Sequence, residues 1–172
     1  MAETLTTLKT RRSCRAYKPE LIEEEKLNAI IEAGTYAATG MGRQSPIIIA
    51  VTSKEVRDKL SKMNAVVMGV DFDPFYGAPE LLIVLADKSM PTYIYDGSLV
   101  MGNMMNAAQD LGVASCWIHR AKEEFETEEG KAILKKLGIE GSYEGIGNLV
   151  LGYAAKPAGD PAPRKADYVY HI

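Results

Sequence analysis

The sequence predicts one α+β domain in which helices pack on both faces of a sheet. Three observations carry that expectation. Four short apolar runs, such as Ile47-Ile48-Ile49-Ala50-Val51, suit buried strands. Longer segments repeat apolar residues at helical spacing. The two kinds of segment do not alternate as βαβ units, which separates the pattern from a parallel α/β sheet. At 172 residues the whole chain, 1–172, has the size of a single domain.

Leu5–Thr10 reads as a short helix ahead of a basic cluster. Glu20–Ala38 reads as a helix, because Pro19 and the acids Glu23 to Glu25 suit a positive N-terminal end. Leu27, Ile30 and Ile31 then recur at helical spacing. Thr39–Ser45 is polar and glycine-bearing, hence a loop. Pro46–Thr52 is the first strand. Lys54–Val67 is a helix with Val56, Leu60, Met63 and Val67 on one face. Asp71–Pro79 is a loop, and Leu81–Ala86 the second strand. Ile94–Leu111 has so little polar face that it reads as a helix buried nearly all round, ended by Gly112. Val113–Ile118 is the third strand. Thr127 caps a helix over Glu128–Leu137 that stops at Gly138. Asn148–Ala154 is the fourth strand. Lys156–Pro163 carries three prolines and is an extended tail, after which Tyr168–Ile172 suits an added strand.

The charged fraction of 25% and hydrophobic fraction of 47% are those of an ordinary soluble globular protein. A net charge of −3 argues against a general binder of nucleic acid or anionic membrane. Met1–Thr10 has no signal-peptide pattern and no long apolar run follows, so the cytoplasm is the expected compartment. Cys14 and Cys116 are then free thiols. With His119 and His171 as the histidines, no metal-ligand spacing appears.

Four constellations carry possible chemistry. Arg11, Arg12, Ser13 and Arg15 suit a phosphate, since guanidinium groups make bidentate charge-assisted bonds to its oxygens. A solvated basic turn is the other reading. Arg164 and Lys165 form a second basic pair, of interest only if it converges on the same anion. Thr39-Gly40-Met41-Gly42-Arg43-Gln44 offers close backbone approach and an amide suited to a pyrimidine edge, or it is a plain loop. Trp117-Ile118-His119-Arg120 ends a strand, where ligands commonly sit. His119 is either a proton donor or a local hydrogen-bonding residue, and Trp117 also suits the core. No dinucleotide-binding or Walker-type glycine loop is present.

These stretches occur in one order: Arg11–Arg15, Ala38–Pro46, Tyr76–Asp87, Tyr95–Ile118, Gly145–Tyr153 and Pro163–Ile172. In that order the chain resembles the nitroreductase family from end to end. The resemblance implies a three-layer helix–sheet–helix fold with a mixed, mostly antiparallel sheet completed by a partner's C-terminal strand, carried on an arm of about 156–172. It implies a homodimer binding FMN at the subunit interface and using NADH or NADPH. Arg11, Ser13, Arg164 and Lys165 would hold the FMN phosphate, with Arg12 along the ribityl chain and Arg15 toward the pyrimidine. Thr39, Gly40, Met41 and Gly42 would come mainly from the partner, with Gln44 near the pyrimidine edge. Trp117, Ile118, His119 and Arg120 would cover the flavin, the Arg120 N–H facing N5. The flavin itself would carry the chemistry, with no catalytic side chain, passing a hydride in ping-pong turnover to a nitroaromatic, quinone or enone.

The chain also departs from longer family members. Those often carry a lysine shortly before the Ala-Pro that opens the second strand. Here Asp71-Phe72-Asp73-Pro74-Phe75 has no basic residue, leaving Arg15 and Arg43 as alternatives. Other readings are a flavoprotein of this fold with different chemistry, reductive dehalogenation or flavin destruction, and a non-catalytic phosphate- or nucleic-acid-binding module.

Overall fold

The strongest apolar run organises the molecule. In a computed structural model that describes residues 4–172, Glu80–Asp87 forms a central strand (β2) whose residues Leu81 to Ala86 are all buried. Met1–Glu3, the start of the stretch read as lacking a leader, lie outside the described residues. Strand β1 (Pro46–Val51) flanks β2 on one side and β4 (Tyr143–Gly152) on the other; β3 (Ala114–Ile118) lies beyond β4. The order is β1-β2-β4-β3 and every ladder is antiparallel. The expected mixed sheet is thus realised only by a parallel bridge, Ser13 to Ser115, along the outer edge of β3.

Because side chains alternate across a strand, β2 feeds two cores. Leu82 and Val84, with Leu149 and Leu151 of β4, face α2 (Glu24–Thr35) and α4 (Tyr93–Asp110). Leu81, Ile83 and Leu85, with Val150, face Leu60 of α3 (Lys54–Met68) and Phe125 of α5 (Ala121–Glu126). Each such fully buried aliphatic side chain contributes roughly 1.5–3 kcal/mol. The helix α1 (Thr4–Thr10) leans on α4 through Thr7 and Asp110, and α6 (Glu128–Lys136) follows α5. The three-layer helix–sheet–helix arrangement is as the sequence predicts.

Several boundaries differ, each for a local reason. The helix expected from Glu20 begins at Glu24, because the Ile22 N–H donates to Glu80 Oε2 at 2.8 Å and the Lys18 N–H to the Tyr153 carbonyl at 2.8 Å. Those bonds hold the preceding residues extended against the sheet. On α3 the inward face carries Arg57, Leu60, Ser61 and Asn64, while Val56 and Val67 are exposed. Polar partners rotate it: Arg57 Nε donates to the Ala78 carbonyl at 2.8 Å, and Arg57 and Ser61 both bind Asp73. α4 is not buried all round, since Ile94, Tyr95 and Leu99 are 48%, 72% and 49% exposed on the face turned from the sheet.

Helix α5 was not expected, and β4 starts five residues before the expected Asn148. Gly145 and Gly147 hide that strand in a propensity reading. They are needed there: a Cβ would fall 2.3 Å from the Ala121 carbonyl at Gly145 and 2.3 Å from Trp117 Nε1 at Gly147. The Thr127 cap is present, its Oγ1 accepting from the Gly130 N–H at 3.0 Å. After β4, every residue from Ala154 to Ile172 is exposed, and Tyr168–Ile172 pairs with no strand among the described residues.

Candidate functional site

The basic cluster is built into the sheet edge by backbone bonds. Arg11 closes α1 through its N–H to the Thr7 carbonyl at 3.0 Å. The chain then runs beside β3, with the Cys14 N–H donating to the Ser115 carbonyl at 2.9 Å. On its other side the Ala155 N–H donates to the Ala16 carbonyl at 2.9 Å. A groove of about 470 Å³ opens here, lined by Arg12, Ser13, Arg15, Gly112, Ala114 and Lys156 among others.

Two guanidinium nitrogens in this cluster, Arg11 Nη1 and Arg12 Nε, are buried without a hydrogen-bond partner. A guanidinium is always charged, and an unmet buried donor costs about 1–3 kcal/mol or more. Arg12 Nη1 is meanwhile pinned to the Lys9 carbonyl at 2.9 Å. Arg12 lines the groove, and a held guanidinium with spare donor capacity there suits a multi-oxygen anion. The neighbouring Cys116 is buried, and burial pushes its thiol up, against the pull of the Arg15 charge and a Ser13 hydrogen bond. It is therefore poorly ionised and inert as a nucleophile. Tyr17, also pushed up chiefly by burial, donates its hydroxyl to the Cys14 carbonyl at 3.1 Å.

The Thr39–Gln44 loop contains a 3-10 turn over Gly40–Gly42. Met41 and Gln44 hold positive φ of 52° and 51°, and Met41 is 81% exposed. Non-glycine residues there cost roughly 1–2 kcal/mol each, so the surroundings must fix them. Asp96, buried in the first turn of α4, does so. Its oxygens accept from the Gly40 N–H at 2.9 Å, Ser45 Oγ at 2.9 Å and Thr92 Oγ1 at 3.0 Å. A lone acid at the start of an apolar helix was the available signal for this residue.

The Trp117–Arg120 turn is held with similar care. Ile118 is buried and His119 exposed, with its ring 5.9 Å from that of Trp117. Arg120 adopts φ 79° as it caps α5. Asn64 of α3 clamps the turn, donating to the His119 carbonyl and accepting from Arg120 Nε, both at 2.9 Å. Trp117 Nε1 is another buried donor without a partner.

Within one chain, neither the Thr39–Gln44 loop nor the Trp117–Arg120 turn lines the Arg11–Arg15 groove. Arg164 and Lys165 do not line it either: Arg164 Nε donates to the Ala162 carbonyl at 3.2 Å, and Lys165 Nζ lies 5.7 Å over Tyr168. The tail reaches the groove only through Lys156 to Gly159. Among the described residues no His/Cys/Asp/Glu group has metal-binding placement, and no helix is long and apolar enough to cross a membrane.

Layered fold and cleft together define a three-layer α+β protein with fixed, unpaired guanidinium donors at a sheet edge. Comparison with known proteins narrows the class. The model of the nitroreductase family matches residues 8–68. An Archaeoglobus fulgidus protein named "Putative NADH dehydrogenase/NAD(P)H nitroreductase" is 30% identical over 158 residues, 89% of this chain and 86% of its own length. A Bacteroides fragilis nitroreductase solved with bound FMN superposes with a TM-score of 0.89 at 30% identity, covering 100% of both chains. A Desulfitobacterium hafniense nitroreductase, also with bound FMN, gives 0.87 at 27% identity and 100% of both. The chain belongs to the nitroreductase family.

Proposed function

We propose that this chain is an FMN-dependent oxidoreductase, one domain over 1–172, that works as a homodimer and draws electrons from NADH or NADPH. The observation that carries the reading is the pair of buried, unpartnered donors Arg11 Nη1 and Arg12 Nε, the second on a residue that lines the groove and the first on its neighbour in the chain. The donor set fits a terminal phosphate: two guanidinium groups, the exposed Ser13 hydroxyl and the open Arg15 side chain. When bound, FMN supplies the redox chemistry, moving two electrons from the nicotinamide to a small electrophilic acceptor (nitroaromatic, quinone or enone) in ping-pong half-reactions.

The chain's own residues bind, orient and cover. Arg11 and Ser13 take the phosphate, joined by Arg164 and Lys165; Arg12 follows the ribityl chain and Arg15 the pyrimidine end. Thr39 to Gly42 and Gln44 serve mainly the partner's site, and Trp117 to Arg120 cover the ring. Support for a dimer comes from apolar side chains left exposed: Ile94, Tyr95 and Leu99 on α4, Tyr36 and Met41 near the loop, and Tyr168, Tyr170 and Ile172 on the tail. Among the described residues, β1 also leaves one strand edge without a ladder. Acid extraction of the purified protein followed by chromatography should release FMN. Recovery of FAD, or of no flavin, overturns the reading.

A further inference from the structure

Under the Trp117–Arg120 turn lies a polar cluster that binding does not use directly. Asn64 on α3, Glu124 on α5 and Asn148 on β4 are all fully buried. The Asn64 amide grips two successive residues of the turn, at the His119 carbonyl and Arg120 Nε. The Glu124 backbone N–H donates to the Arg120 carbonyl at 2.9 Å, and its Oε2 accepts from Asn148 Nδ2 at 2.6 Å. Two further acceptors, Glu124 Oε1 and Asn148 Oδ1, are buried with no donor. One proton on Glu124 converts a carboxylate that only accepts into a group that also donates.

We propose that Asn64, Glu124 and Asn148 form a positioning relay that holds the left-handed Arg120 turn against the bound flavin and resets it when Glu124 gains or loses a proton. The relay rests on the flavin reading above. Its members arrive from three elements: Asn64 bonds the turn through its side chain, Glu124 joins it at the backbone, and Asn148 reaches it through the Glu124 carboxyl. Arg120 at φ 79° needs support, which comes from Asn64 of α3 through two side-chain bonds and from the first backbone bond of α5, made by the Glu124 N–H to the Arg120 carbonyl.

The surroundings set the proton affinity. Burial is the main cause that pushes the Glu124 carboxyl up, to about 7. The hydrogen bond from Asn148, the nearby Asn64 amide and the Arg120 charge oppose it, and Glu123 adds to the rise. From α6 the approach is through Gly130, whose missing side chain admits the Glu124 carbonyl. Lys122 and Glu144 pair with each other at 3.1 Å. His119 is the remaining ionisable group on the turn.

The test uses the protein as purified, titrated between about pH 5.5 and 8.5. Two signals are followed: the visible absorption of the bound cofactor and the emission of Trp117, the only tryptophan. Both should show one inflection near pH 7. Glu124→Gln should abolish it, and His119→Gln should retain it. Asn148→Ala removes a bond that favours the anion, so it should move the inflection to higher pH. Asn64→Ala should weaken FMN by about fivefold or more. A wild type without inflection, an inflection kept in Glu124→Gln, lost in His119→Gln or unmoved in Asn148→Ala, or unchanged FMN affinity in Asn64→Ala, overturns the relay. Trp117 emission reads the turn whatever is bound, so failure of the relay stays distinct from absence of flavin.

Discussion

The backbone N–H of Gly40 donates to Asp96 Oδ1 at 2.9 Å, so the first turn of α4 fixes a loop that lies 56 residues earlier in the chain. The same carboxyl also holds Ser45 and Thr92. One buried acid therefore sets the shape of the segment that carries Met41 and Gln44 at positive φ.

Asp96→Ala should destabilise the protein by about 2–4 kcal/mol, because it strips an acceptor from three donors, two of them on the loop. Urea unfolding measures the loss. Asp96→Asn should recover part of it, since the amide oxygen still accepts. A change within about 0.5 kcal/mol for the alanine variant, the range of ordinary surface substitutions, contradicts the anchoring role.

Arg11→Ala should weaken FMN binding at least about tenfold, equivalent to about 1.4 kcal/mol. The phosphate would lose a charge-assisted donor whose Nη1 is already desolvated in the free protein. Removing Arg164 and Lys165 together should also weaken binding. Dialysis followed by the flavin-to-protein absorbance ratio checks both. Full occupancy in both variants removes the phosphate assignment.

Deleting Lys156–Ile172 should cost both dimer and flavin. The prolines keep Lys156–Pro163 extended, and at ~3.1 Å per residue that stretch spans about 25 Å. This is far enough to reach a partner's sheet edge with Tyr168–Ile172. Arg164 and Lys165 travel on the same arm. Analytical ultracentrifugation beside a flavin assay decides the matter: a truncated chain that stays dimeric and yellow shows the tail to be dispensable.

Stability should fall as pH rises because of Glu124. Its carboxyl titrates at about 7 in the folded protein against 4.5 ordinarily, so between these values the native state keeps a proton that the unfolded state releases. The contribution is fully present below about pH 4.5 and is lost as pH rises through about 7. It amounts to about 3 kcal/mol. Glu23, held down to about 2 chiefly by Tyr153, acts in the opposite direction at acid pH. The difference between wild type and Glu124→Gln in melting temperature, followed from pH 5 to 8, isolates the Glu124 part. Parallel curves refute it.

The sequence by itself determined the layered α+β class, the four strands, most helices and the clustered arginines. Those features are local: apolar runs, helical spacing and adjacent charges are written in neighbouring residues. Thr127 as a cap and Gly112 and Gly138 as helix stops are equally local, and the structure has them where expected. Only the tertiary structure decided which face of α3 turns inward, that Asp96 anchors a distant loop, and that Asn64, Glu124 and Asn148 meet beneath one turn. The physical reason is common to all three. A polar side chain is buried only where folding delivers its partners, and those partners from other segments lie 12 to 56 residues away in sequence. A pattern reading assigns such residues to solvent, because it sees their hydrophilicity and not the donors and acceptors that satisfy them.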